Sequence, residues 1–210
     1  MFVTLLSFAI ANVYAQGSRE VVYADNFDSY TAGAHIAQTI PSNWTTWSNA
    51  PGGAEDGVFS ADQASSGTLS AMISGTNDNV LKLGNKTSGV YHVSWKMFVP
   101  TGFAGYYNFQ HFEAPGNEWA FEVYFDNNGT GYMHAGGSNA ATFTYAYNQW
   151  FTVENFIDLD ADWAQVYFDG ALIYEWQFSL QAQGEPGTKQ LGGVNFYAGS
   201  TAGMTPKYYI

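Results

Sequence analysis

Glu118 and Glu122 stand four residues apart in the run Glu118-Trp119-Ala120-Phe121-Glu122. On an extended strand, residues i, i+2 and i+4 share a face, so this spacing predicts two carboxylates presented together, the pairing that glycoside hydrolysis uses. Four strand steps separate their Cα atoms by about 13 Å, whereas a retaining mechanism needs roughly 5 Å between carboxyl groups, so the side chains would have to lean together. On the same face between them stands Ala120, which cannot set different protonation states for its neighbours. Hydrolysis through Glu118 and Glu122 is therefore the alternative expectation, and a non-catalytic acidic sheet face is the leading one.

Recognition of a saccharide without cleavage needs flat aromatic faces for the sugar C–H groups and amides or carboxylates for its hydroxyls. The chain holds 15 Tyr and 7 Trp, most of which must be core. Alternation assigns Trp95 and Trp119 to the core. Tyr107, His111, Glu122, Tyr124, Asn195 and Tyr197 are expected on an outward, concave face as the ligand-binding set.

Other chemistries find less support. There is no cysteine, which removes thiol nucleophiles, thiolate metal sites and disulfides; no Gly-x-Ser-x-Gly elbow and no Gly-rich phosphate loop follows a strand. His35, His92, His111 and His134 are scattered without metal-ligand spacing. Asp158, Asp160 and Asp162 alternate in one short turn and offer the oxygen ligands that Ca²⁺ takes, yet the stretch lacks the Gly and final Glu of an EF-hand loop. No cofactor is required by these residues, and a structural Ca²⁺ is the one metal expected.

Eighteen acidic residues against six Lys and Arg give a formal charge of −12, which excludes a basic nucleic-acid binder. Charged residues are only 11% of the chain, so Asn, Ser, Thr, Gln and Gly must carry the surface polarity. With 46% hydrophobic residues the chain can bury a core, and 210 residues suit one all-β domain.

The elements that must hold these residues read as strands. Val93, Trp95, Met97 and Val99 alternate with His92, Ser94 and Lys96 until Pro100-Thr101-Gly102 ends the run. Tyr107, Phe109 and His111 alternate with Tyr106, Asn108 and Gln110, and Trp119, Phe121, Val123 and Phe125 form a core face beyond Pro115-Gly116-Asn117. Asn127-Asn128-Gly129 and Asp169-Gly170 are tight hairpins, and further strands run through Phe151 to Ile157, Ala164 to Phe168, Leu172 to Phe178 and Gly193 to Ala198. No segment keeps a helical period, so about ten to thirteen strands in two packed antiparallel sheets are expected, with helices of at most a turn or two. Tyr30 to Gly75 reads as long loops between short outer strands, with Trp44 and Trp47 capping the sandwich before facing a ligand.

At the N-terminus, the apolar run Phe2 to Ile10 followed by Val13 and Ala15 reads as a signal peptide over residues 1–15, although no Lys or Arg precedes it. Nine apolar residues are too few to span a membrane, which takes about twenty, so no transmembrane segment is expected. Residues 16–24 form a lead-in, and 25–210 the sandwich. Lys207-Tyr208-Tyr209-Ile210 reads as the start of a strand with no turn or polar tail to finish it, which leaves room for a truncated last strand and a missing C-terminal module.

Three stretches carry a family resemblance: Asp25-Asn26-Phe27-Asp28-Ser29-Tyr30, Ser88 to Pro100, and Trp150 through Trp176. The last joins W-x-x-V at Trp150 and Val153 to D-x-D-x-D-x-x-x-V-Y-x-D-G from Asp158 to Gly170. Together they resemble a concanavalin-A-like lectin/glucanase jelly roll, of the laminin-G-like kind found in secreted proteins of Bacteroidetes-type bacteria. The resemblance implies a two-sheet jelly-roll β-sandwich in an exported or cell-surface protein that binds glycans. It also implies a structural Ca²⁺ near Asp25 and Asp28, paired with an acidic residue on the last strand. Glu118 to Glu122 is similar to the E-x-D-x-E strand of jelly-roll endoglucanases, in which the first Glu is nucleophile, the last is acid/base and a middle Asp tunes them; Ala120 departs from that pattern. Polysaccharide lyases of this fold resemble the chain less, because they need an Arg beside a His/Tyr pair. Tyr107 and His111 could imitate the pair, but the one Arg, Arg19, lies beside the leader.

Overall fold

The period-two alternation is realised as fourteen strands among the described residues, which in this computed structural model of the protein are 20–199 and 203–210. The expected signal peptide, residues 1–15, lies outside them. In chain order the strands are β1 (Trp44–Thr46), β2 (Val58–Ser60), β3 (Ser70–Ser74), β4 (Asp78–Lys86), β5 (Val90–Phe98), β6 (Gly105–Gln110) and β7 (Trp119–Phe125). There follow β8 (Thr130–Ala135), β9 (Ala141–Thr144), β10 (Trp150–Asp158), β11 (Trp163–Phe168), β12 (Ala171–Gln177), β13 (Leu191–Tyr197) and β14 (Lys207–Tyr209). One short helix, α1 (Ile36–Thr39), precedes β1. Among the described residues no helix is long and apolar enough to cross a membrane.

Two seven-stranded antiparallel sheets face each other. The front sheet runs β1-β4-β13-β6-β7-β8-β9 and the back sheet β12-β11-β10-β5-β14-β3-β2. Both predicted hairpins form, and at the second of them Asp169 and Gly170 both take positive φ, 46° and 77°, as a two-residue turn matched to strand twist requires. The tail that reads as the start of a strand is β14, an inner strand bonded to β3 and β5, with Tyr208 and Tyr209 buried.

The core lies between the sheets. Phe109 of β6 stacks on Phe121 of β7 at 4.6 Å, and Trp95 of β5 meets the Tyr107 ring edge-on at 4.8 Å across the sandwich. The expected core position of Trp95 is thus realised.

The loop-rich first third is organised by one carboxylate. Asp56 is 1% exposed and accepts hydrogen bonds from the N–H groups of Ala37 (2.8 Å), Gln38 (3.0 Å) and Gly52 (2.8 Å) and from Asn79 Nδ2 (2.8 Å). It thereby joins α1, the loop after β1 and strand β4. A buried carboxylate stripped of such donors is costly, and donors left without it are costly too. Asp56→Ala is therefore expected to lower unfolding free energy by about 3 kcal/mol in urea titration; a loss below ~1 kcal/mol would show the hub to be dispensable.

Candidate functional site: a cleft on the front sheet

A register shift decides which side chains reach the outer face of the front sheet. Phe109 pairs with Phe121, but the next residue of β6, Gln110, pairs with Trp119, so β7 carries one extra residue at Ala120. Such a bulge inverts facing on one side of it. Trp119, expected in the core, stands instead on the face of Gln110. Glu118 moves to the opposite side: its backbone carbonyl accepts the His111 N–H at 3.1 Å, and its Oε2 lies 3.0 Å from His111 Nδ1. The two glutamates therefore do not share a face.

On the outer face, Asn195 of β13 pairs with Asn108 of β6, Asn108 with Glu122 of β7, and Tyr106 with Tyr124. This row lines a cleft of about 380 Å³, together with Trp47, Asp78, Trp119, Tyr197 and Gly199. Four residues of the expected ligand-binding set, Glu122, Tyr124, Asn195 and Tyr197, are brought together there. The other two are placed elsewhere. Tyr107 is fully buried between the sheets, its hydroxyl donating to Asn155 at 3.2 Å. His111 is also fully buried, its Nε2 3.0 Å from the Phe178 carbonyl oxygen. The physical reason is that β6 presents aromatics on both faces, and its pairing with β7 assigns Tyr106 and Asn108 outward and Tyr107 inward.

The floor of the cleft is a continuous hydrogen-bonded chain. Asn195 Nδ2 donates to Asp78 Oδ1 at 2.6 Å and to the Asn79 carbonyl at 3.2 Å. Asn108 Nδ2 donates to Asn195 Oδ1 at 2.8 Å and to the Tyr106 hydroxyl at 3.1 Å, while Gln110 Nε2 donates to Asn108 Oδ1. The hydroxyls of Tyr106 and Tyr124 donate to Glu122 Oε1 at 2.7 and 3.2 Å. Burial first, and the Glu122 charge second, push both phenols upward, so these hydroxyls stay protonated donors. Asn108 and Asn195 are each 1% exposed, so their amides are held in one arrangement.

Aromatic rings border this floor. Trp47 and Trp119 lie 5.9 Å apart at 31°. Tyr106 meets Tyr124 at 4.7 Å, and Tyr124 stacks on Tyr132 at 4.7 Å and 8°. Of the two early tryptophans, Trp44 is core, tilted against Phe196 at 5.7 Å, whereas Trp47 borders the cleft. Trp47, Tyr106, Asn108 and Asp78 escape a reading of alternation alone. Outward-facing Glu122 and Tyr124 point to Asn108 and Tyr106 only once the β6–β7 register is known.

Glu118 is a structural anchor. Its carboxylate accepts the Thr188 N–H at 2.7 Å and the Thr188 hydroxyl at 3.1 Å, tying the loop after β12 to the sheet. Burial raises its carboxyl, but the Thr188 and His111 hydrogen bonds outweigh burial and hold it below the usual range.

The aspartates expected to hold Ca²⁺ accept backbone N–H groups, Asp25 and Asp158 within their own turns and Asp28, Asp160 and Asp162 from distant segments. Asp25 accepts from the Phe27 N–H at 2.8 Å and the Tyr30 hydroxyl at 2.6 Å, and Asp28 from the N–H groups of Thr68 and Leu69 at 2.7 and 3.2 Å. Asp158 accepts from the Asp160 and Ala161 N–H groups at 3.0 and 2.8 Å, Asp160 from the Gly89 N–H at 3.0 Å, and Asp162 from the Ser179 N–H at 2.8 Å. Among the described residues no three acidic or histidine side chains gather in a metal-binding arrangement.

Asp78 carries the clearest electrostatic signature of the cleft. Burial pushes its carboxyl up to about 6, against a pull from the Asn195 hydrogen bond and a further push from the Glu55 charge. A carboxyl raised by folding contributes stability at low pH that is lost as the pH climbs from its ordinary value of 3.8 to about 6. Asp78→Asn removes that loss while Oδ1 can still accept from Asn195. Its Tm relative to the parent is therefore expected to rise between pH 4 and pH 7, and an equal difference at both would contradict the assignment.

No family model matches the chain, and no curated protein matches it. Solved structures do. A sialidase is similar over 88% of this chain with a TM-score of 0.59 and 16% identity, and the chain spans 17% of that protein's length. An alginate lyase is similar over 88% of this chain and 91% of its own, with a TM-score of 0.53 and 12% identity. A carbohydrate-binding module from Bacillus subtilis is similar over 80% of this chain and 91% of its own, with a TM-score of 0.46 and 10% identity. At these identities the likeness is one of architecture, which hosts many activities. The architecture is the concanavalin-A-like jelly roll, two antiparallel sheets packed as one sandwich.

Proposed function

We propose that this chain is a non-catalytic glycan-recognition module whose binding site is the front-sheet cleft. The observation that carries the reading is the joining, in one cleft, of the neighbouring Trp47 and Trp119 rings with an ordered amide and carboxylate floor. Indole and phenol faces suit sugar C–H surfaces, and fixed polar groups suit hydroxyls. Glu118 stands outside the cleft lining, bound to His111 and Thr188, which leaves Glu122 without a same-face carboxylate on its own strand for double-carboxylate hydrolysis. Export in a larger extracellular or cell-surface protein belongs to the same reading, supported by the apolar run Phe2 to Ile10.

Glycan-array binding followed by calorimetry tests the proposal, with a reducing-sugar assay beside it. Binding without sugar release is expected; sugar release abolished by Glu122→Gln would favour the hydrolase instead. Trp119→Ala is expected to weaken binding about ten-fold or more while moving Tm by no more than about 3 °C, since Trp119 is only partly buried. Trp163→Ala, at a 41% exposed position on the back sheet, is expected to change neither. Equal effects of the two substitutions on affinity would place the site elsewhere.

A further inference from the structure

Counting donors and acceptors in the cleft narrows the ligand. Both amide hydrogens of Asn195 are spent on Asp78 and Asn79, both of Asn108 on Asn195 and Tyr106, and the Tyr106 and Tyr124 hydroxyl hydrogens on Glu122. What the floor turns toward a ligand is therefore lone pairs. Among the described residues Glu122 Oε2 has only a long contact, 3.4 Å from Gln183 Nε2, and Asp78 Oδ2 accepts no hydrogen bond. Among the described residues the lining offers only neutral donors, such as the Trp47 and Trp119 indoles and the Tyr197 hydroxyl.

Among the described residues the same lining holds two carboxylates and no Lys, Arg or His. Among the described residues neither Asp78 nor Glu122 makes an ion pair. Nearby charges do not compensate them. Glu55, close enough to act on Asp78, is itself acidic, and Lys82 on the same strand directs its Nζ to the Pro41 carbonyl at 2.9 Å. His134 pairs with Glu122 across β7 and β8, but its Nδ1 accepts the Asn139 N–H at 2.8 Å. The cleft is thus an acceptor-lined, anionic site walled by π-faces, a combination that also attracts cations.

Resting on the glycan-binding reading above, we infer that the cleft selects glycans bearing a free amine, 2-amino-2-deoxy sugars whose ammonium takes the open lone pairs of Asp78 or of Glu122, over neutral and acidic ones. An ammonium brings three donors and a positive charge to a wall of lone pairs, whereas uronate or sulfate groups bring more lone pairs and more negative charge. A neutral sugar satisfies the acceptors but leaves the charge uncompensated.

Three β-1,4-linked tetrasaccharides that differ only at C2, carrying hydroxyl, acetamido or free amino groups, test this by calorimetry at pH 7, alongside an oligouronate and the neutral glycans of the array. The amino form is expected to bind about ten-fold or more tightly than the other two, and the oligouronate not at all. Asp78→Asn with Glu122→Gln should abolish that preference, while removing surface charge far from the cleft, in Asp158→Asn with Glu175→Gln, should preserve it; thermal unfolding of both pairs confirms that they fold. Equal or tighter binding of the hydroxyl or acetamido form, or a preference lost equally in the surface pair, overturns the amine inference and leaves the glycan reading intact. Binding of no saccharide of any class overturns both.

Discussion

The pairing of β6 with its two neighbours is the constraint from which the rest of the site follows. Strand β6 is buried along its whole length, covered on one side by the back sheet and on the other by the cleft residues, so neither face tolerates a slipped register. Its pairing with β13 sets Asn108 beside Asn195, and its pairing with β7 sets Asn108 beside Glu122. These two adjacencies create the polar floor. The single extra residue at Ala120 then divides β7 into a segment that serves the cleft and an end that serves the scaffold.

That division separates stability from recognition. Glu118 and His111, on the scaffold side, hold the loop that contains Phe178 and Thr188. Gln183 in the same loop approaches Glu122, and the Ala182 N–H bonds the Trp119 carbonyl at 2.8 Å, so the loop also supports one wall of the cleft. On the opposite side Asp56 orders the segment that delivers Trp47, through bonds to α1, Gly52 and Asn79. Two carboxylates outside the cleft thereby brace the elements that shape it. Buried polar networks of this kind are rigid when fully satisfied, and here almost every donor in the floor has a partner.

Much of the architecture was legible from alternation and turn chemistry. The faces of β5, β10 and β11, the two hairpins and the two-sheet arrangement all follow from the period-two pattern with Asn-Gly and Asp-Gly turns. Facing was legible where one side of a strand is plainly apolar, as in β7 from Phe121 to Phe125. It was not legible in β6, where Tyr106 and Tyr107 are equivalent until the neighbouring strands are placed. Nor was it legible at Glu118 and Trp119, because a bulge leaves no mark in the alternation beyond a small residue such as Ala120. Asp78 and Trp47 come from distant segments, and their place beside β6 and β13 depends on a long-range crossover that local patterns do not encode. The aspartates of the acidic turns were visible as oxygen ligands, yet which groups they meet, such as the Gly89 and Ser179 N–H groups, depends on backbone geometry that composition does not report.

The proposed recognition surface is the outer face of the front sheet, rather than the back sheet or the loop-rich first third. The indole N–H resonances of the tryptophans report on this directly, because Trp47 and Trp119 border the cleft, Trp44 lies in the core, and Trp163 lies exposed on the back sheet. In a two-dimensional ¹H–¹⁵N titration with the tightest-binding oligosaccharide, the Trp47 and Trp119 signals are expected to shift together along one binding isotherm while Trp44 and Trp163 stay in place. A saturable shift confined to Trp163, with Trp47 and Trp119 unmoved, would contradict it.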